Sequence, residues 1–244
     1  MFRKLVTIIT ALVLFMSLAT SSFAAFDNLK LIRVILQQTG GTTEIATNLG
    51  NVTTALAGGT FGGGADAFTA KTGGTNFAAG SAGLNAVYFA VNQTTKELWI
   101  TGEHPSISAG KSATITALTT NIFSYYNINL GGGPTVLADA SYANSYRVKA
   151  DATTQFGQFG TAILLANRPY TEANLAALAT GGSVTQDIYY FANYAIASTG
   201  VKVGSITTNA NGSSTVTATP IPAAFYLMGS GLLGLVGLRR RNNA

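Results

Sequence analysis

The sequence predicts a mainly β fold: an antiparallel β-sandwich or jelly-roll-like domain with one or two inserted helices. It is flanked by an N-terminal signal peptide and a C-terminal transmembrane helix. Three observations carry this. Short segments rich in Val, Ile, Thr and aromatic residues recur in pairs around turn residues, the pattern of hairpins. Only residues 112–127 carry a sustained helical period. Strand and helix signals do not alternate as βαβ units would require.

Taken in order, residues 28–36 read as a strand, Thr39-Gly40-Gly41-Thr42 as a turn and residues 43–49 as the returning strand. Asn51 caps a short helical turn that runs through Leu56. From Gly58 to Gly83 nine of 26 residues are glycine, which predicts a long surface loop. Phe61, Phe68 and Phe77 punctuate it and are read as pins to the core, with sugar contact as the alternative.

Residues 85–91 and 97–101 form the clearest hairpin, around Gln93-Thr94-Thr95-Lys96, with Trp99 as a core anchor. In the next segment Ile115, Leu118, Ile122 and Tyr125 share one face of a helix. Gly131-Gly132-Gly133-Pro134 breaks the chain, and residues 135–150 fit a short helix or a strand. Residues 161–166 read as a buried strand. Thr171 is placed to cap a helix from Glu172 through Ala179, stopped by Gly181. Residues 187–197 form an aromatic strand. The last hairpin, 201–207 with 214–218, turns at Asn209-Ala210-Asn211-Gly212, where Asn-Gly tolerates positive φ. The count is seven or eight short strands.

The two ends of the chain differ from this body. Arg3 and Lys4 precede an apolar run from Leu5 to Leu18, and Ser22-Phe23-Ala24 supplies a small-x-small cleavage pattern. That order is a secretory signal, residues 1–24, with Ser22 and Ala24 marking the cut. At the other end Pro220-Ile221-Pro222-Ala223 opens residues 220–244. An apolar run of 16 residues, Ala223 to Leu238, follows, and then Arg239, Arg240 and Arg241. The run is just short of the ~17–25 residues of a usual spanning helix, and the arginines would stay on the cytoplasmic side.

This tail resembles the PEP-CTERM class of bacterial sorting signal, in its Pro-Leu-Pro-Ala-like variant, with Ile221 standing where Glu or Leu is usual. The resemblance covers about a tenth of the chain. It implies recognition and removal of the tail by an exosortase, a membrane transpeptidase. It also implies a Gram-negative, biofilm- or floc-forming source and association with exopolysaccharide. The expected path is export, an inner-membrane-anchored precursor, and then the cell surface or extracellular matrix. The alternative for the tail is an uncut anchor.

Charge follows the same division. The formal +5 invites a nucleic-acid reading, but five of the 14 basic residues lie in the two ends and none of the nine acidic ones does. Residues 25–219, read as one domain, are therefore neutral, with scattered basic residues. Nucleic acid is excluded as a partner. The chain has no cysteine, so the exported state is held without disulfides.

Three stretches imitate chemistry. Gly110-Lys111-Ser112 ends like a phosphate loop, but Pro105 stands where the first glycine is needed. Gly229-Ser230-Gly231-Leu232-Leu233-Gly234 imitates a dinucleotide fingerprint inside the apolar tail, where helix packing in lipid explains it better. His104, the single histidine, follows Glu103, but no nucleophile elbow accompanies it. No metal or cofactor is expected, and the domain is read as non-catalytic. The second reading is carbohydrate binding or weak carbohydrate activity. Its candidates for stacking on sugars are Tyr125, Tyr126, Tyr189, Tyr190 and Tyr194, with Tyr142 and Tyr146 beside them. Core packing is the competing role for all seven.

Overall fold

The chain is described here by a computed structural model that covers residues 26–37, 42–61, 83–129, 134–150, 159, 163–165 and 171–219. The signal peptide with Ser22 and Ala24, the tail with Pro220, Ile221, Pro222, Ala223, Arg239, Arg240 and Arg241, and most of the glycine-rich stretch lie outside these residues. Among the described residues no helix is long and apolar enough to cross a membrane.

The fold is mainly β, with few helices. The strands are β1 (Lys30–Gln37), β2 (Thr43–Asn51), β3 (Gly59–Phe61), β4 (Leu84–Asn92), β5 (Glu97–Thr101), β6 (Pro105–Ile107) and β7 (Thr135–Asp139). They continue with β8 (Ile163–Leu165), β9 (Ala173–Asn174), β10 (Ser183–Phe191), β11 (Ser198–Thr199), β12 (Val201–Asn209) and β13 (Ser214–Ala218). The helices are α1 (Val52–Ala55), α2 (Ser112–Ile128) and α3 (Tyr146–Lys149), with a 3-10 turn at Ala176–Thr180.

A ten-stranded sheet runs in the order β3-β13-β12-β10-β5-β4-β1-β2-β7, with β9 beside β4. A smaller sheet has the order β11-β6-β8. All pairings are antiparallel.

The large sheet cannot be flat. Arg33 on β1 hydrogen-bonds the Gly212 carbonyl at 2.6 Å and Ser214 Oγ on β13 at 2.9 Å. Those two strands are five steps apart in the ladder, or about 24 Å in a flat sheet at ~4.8 Å per step. Tyr88 on β4 likewise reaches Thr208 on β12 and Ser214 on β13. The sheet therefore curls into a half-barrel, and these side chains cross its hollow.

Two-residue alternation then assigns the faces. Leu31, Ile35, Ile45, Tyr88, Trp99, Ile188, Ile206 and Val216 fill the concave side. Ile32, Val34, Val87, Phe89, Val91, Leu98 and Ile100 point to the convex side, where α2 packs with Ile115, Leu118, Ile122, Phe123, Tyr125 and Tyr126. Each large apolar side chain buried in this way contributes about 1.5–3 kcal/mol. The helical face expected for 112–127 and the anchoring of Trp99 are both present.

Several expectations change. The helix expected over 172–179 is replaced by β9 and the 3-10 turn. β5 covers only Phe89–Asn92 of β4, so Asn85 and Ala86 pair with β9, and Leu175 N donates to Leu84 O at 2.8 Å. Tertiary pairing has overridden the capping signal, and Thr171 gives its carbonyl to Thr101 and Gln186 instead. Gly181 still ends the turn, in the left-handed region at φ 75°.

The aromatic strand ends at Phe191, earlier than expected, because Asn193 accepts from Ala195 N and turns the chain. Residues 135–150 contain both alternatives, β7 and then α3. Gly59–Phe61, expected as loop, pairs with β13. Asn51 caps α1 by accepting from Thr53 N at 2.9 Å, as expected.

The hairpin at 209–212 forms with Gly212 at φ 82°. Beside it, Gly204 is demanded by space: an added Cβ would meet the Thr217 carbonyl oxygen at 2.9 Å. We expect Gly204→Ala to push β13 off β12 and to cost about 1–3 kcal/mol, read as a lowered midpoint in denaturant. An unchanged midpoint would contradict this packing.

Both chain ends of the described body are tied down. Asn127 of α2 accepts from Phe26 N at 2.8 Å and donates to Phe26 O at 3.0 Å, while the Phe26 ring packs on Tyr126. At the far end Thr219 N donates to Val203 O at 3.2 Å.

Candidate functional site

The hollow of the half-barrel carries a polar layer between apolar ones. Arg33 lies in phase with Leu31 and Ile35, so the strand pleat turns its guanidinium inward, where it is fully buried. Its cross-strand partners are Thr47 and Tyr88. Besides Gly212 O and Ser214 Oγ, it donates to Thr47 Oγ1 at 3.4 Å. All three acceptors are neutral. Nε of Arg33 and Oε1 of Gln186 are buried with no hydrogen-bond partner among the described residues. Among the described residues no carboxylate accepts from this guanidinium. Its bonds from β1 to the β12–β13 turn and β13 can stiffen the curl.

The convex side holds a buried acid. Glu44 on β2 is in phase with Ala46 and is fully buried under α2 and α3. Its carboxylate accepts from Tyr126 Oη at 2.8 Å, Tyr146 N at 2.9 Å and Arg147 N at 3.0 Å, so it holds the first turn of α3. Burial pushes the Glu44 carboxyl up to about 7, against the pull of those three donors and of the Arg147 charge.

At one end of the hollow Glu97 accepts from Tyr190 Oη at 2.7 Å and from Asn92 Nδ2 at 3.1 Å, and Tyr190 leans on Trp99 with ring centroids 5.0 Å apart. Hydrogen bonds from Thr95, Tyr190 and Asn92 hold the Glu97 carboxyl below its ordinary value. Burial first, and then the adjacent Glu97, raise Tyr190 to about 12.

The tyrosine candidates for sugar contact divide sharply. Tyr125, Tyr126, Tyr189 and Tyr194 are buried, as is Tyr146, and all five belong to the convex-side core. Phe26 packs on Tyr126 and Phe89 on Tyr146, and the burial of all five leaves them to packing rather than to stacking on a sugar. Tyr190 is half-buried with its hydroxyl engaged. Tyr142 is 51 % exposed and stacks on Tyr125 at 4.6 Å with the planes 12° apart.

Geometry bears on two of the three stretches that imitate chemistry, while Gly229-Ser230-Gly231-Leu232-Leu233-Gly234 lies outside the described residues. Pro105 lies in β6 and gives its carbonyl to Gly200 N, so no loop wraps a phosphate ahead of Lys111. His104 is exposed at φ 46°, with its ring 5.7 Å from that of Tyr189. Among the described residues no group of three or more His, Cys, Asp or Glu side chains could hold a metal ion.

The chain matches no protein-family model, no curated protein and no solved structure. The functional reading therefore rests on the residues themselves. Sequence reasoning missed Arg33 and Glu44. For Arg33 the signal was present, as a charge in the inward phase between Leu31 and Ile35. Glu44 alternates with Ala46 and Asn48, which gives no comparable apolar phase.

Proposed function

We propose that the chain is a non-catalytic, exported cell-surface or extracellular-matrix protein, sorted and processed by an exosortase and associated with exopolysaccharide. One observation carries the reading: the order Pro220-Ile221-Pro222-Ala223, a 16-residue apolar run and the Arg239–Arg241 cluster, opposite a secretory leader. The bond from Thr219 N to Val203 O supports it, because it ties down the residue immediately before the motif. The curled sheet, with α2 and the small sheet on its convex side, is read as a sandwich-type or jelly-roll-like body delivered by these signals. A second reading, a carbohydrate-binding surface protein, is favoured by the exposed ring of Tyr142 on Tyr125.

The test is mass spectrometry of the released protein. The expected wild-type product lacks the residues beyond the motif. Pro220→Ala combined with Pro222→Ala is expected to leave an unprocessed, membrane-retained precursor. A released wild-type protein intact through Arg241 would sink the exosortase reading.

A further inference from the structure

The Tyr142 ring is set up as a platform in a way that the other tyrosines are not. It sits in the turn between β7 and α3, which four hydrogen bonds brace. Ala140 N donates to Thr42 O, Tyr142 N to Asp139 O, Ser145 N to Tyr142 O, and Ser145 Oγ to Ala140 O. Beneath the ring Tyr125 is locked by its own hydroxyl, which donates to Asp139 O at 2.9 Å. One face of Tyr142 is covered by Tyr125 and half of the residue stays in water. Little side-chain freedom remains to be lost when something covers the outer face.

Polar groups flank the platform. Ser141 N and Oγ both donate to Asp139 Oδ1, at 2.8 and 2.6 Å, and hold the Asp139 carboxyl below its ordinary value, so it stays ionised. An aromatic face beside an ionised acceptor suits a ring with one apolar C–H face and hydroxyls at its rim. The same carboxylate disfavours an anionic ring.

We infer that Tyr142, stacked on Tyr125 and flanked by Asp139, is a contact site for the pyranose rings of a neutral hexose polymer. The inference rests on the exopolysaccharide association proposed above and names the surface that would make it. The stack supplies the contact through the ring face, so the Tyr142 hydroxyl is dispensable.

The test titrates the purified full chain in detergent with cellohexaose and, separately, with a galacturonate hexamer, read by saturation-transfer NMR. Saturable binding of cellohexaose is expected, with weaker binding of the uronate. Tyr142→Ala is expected to weaken cellohexaose binding about tenfold or more, while Tyr142→Phe stays within about threefold of wild type. Circular dichroism confirms that both variants fold. Absence of saturable cellohexaose binding, equal binding by Tyr142→Ala, or preference for the uronate would each overturn the inference. So would a Tyr142→Ala defect confined to self-association in sedimentation. Tail processing is scored independently: a processed protein that does not bind refutes this site alone, and a binding protein whose tail is never cut refutes the sorting reading alone.

Discussion

Replacing Arg33 with alanine is expected to destabilise the domain by about 3–5 kcal/mol, a large part of the ~5–15 kcal/mol available to a domain. The substitution empties a large buried volume and strips a donor from Gly212 O, Ser214 Oγ and Thr47 Oγ1. The informative comparison is with methionine and lysine. Burying a cation among neutral acceptors carries a desolvation cost that no opposite charge among the described residues repays. Methionine fills the space and removes that cost, and Ser214 Oγ can still pair with Tyr88 Oη. Lysine keeps the charge but loses the fork that reaches Gly212 and Ser214 together. The expected order of stability in urea is wild type, Met, Lys, Ala. A Lys variant more stable than the Met variant would show that the charge itself is net favourable there.

The second large effect concerns Glu44. Its carboxyl is raised from 4.5 to about 7 in the fold, so between those values the folded protein holds a proton that the unfolded chain has released. Stability is therefore expected to be full for this group below pH 4.5, to fall as pH rises through about 7, and to level off above. The drop amounts to about 3 kcal/mol. Glu97 and Asp139 are shifted downwards, so their contributions change only in more acid solution and leave this window clear. Glu44→Gln should flatten the profile between pH 5 and 8, although an amide cannot reproduce all three accepted bonds. Unfolding midpoints measured across that range decide it: a flat wild-type profile, or an unchanged slope in the Gln variant, would refute the assignment.

What the sequence made legible was local. Asn209-Ala210-Asn211-Gly212 and the segments around Gln93-Thr94-Thr95-Lys96 specify hairpins through turn chemistry, and the structure has both. The face formed by Ile115, Leu118 and Ile122 needs only the helical period. What stayed hidden depends on partners distant in sequence. Residues 172–179 carry helix signals, yet the short reach of β5 leaves the edge of β4 open to Ala173 and Asn174. The curl was invisible for the same reason, since it becomes evident only when Arg33 meets Ser214. The tyrosines could not be sorted because composition does not say which face α2 covers. Only the structure separates the exposed Tyr142 from the buried Tyr126.

The ties at the two ends of the described body have a mechanical consequence. Thr219 is bonded to the Val203 carbonyl, and the next residue is Pro220. Tension applied at Thr219 enters the β12–β13 ladder through that bond. At the other end Asn127 grips the peptide groups on both sides of Phe26 and transfers load to α2. Resistance to pulling then depends on how firmly β13 stays zipped.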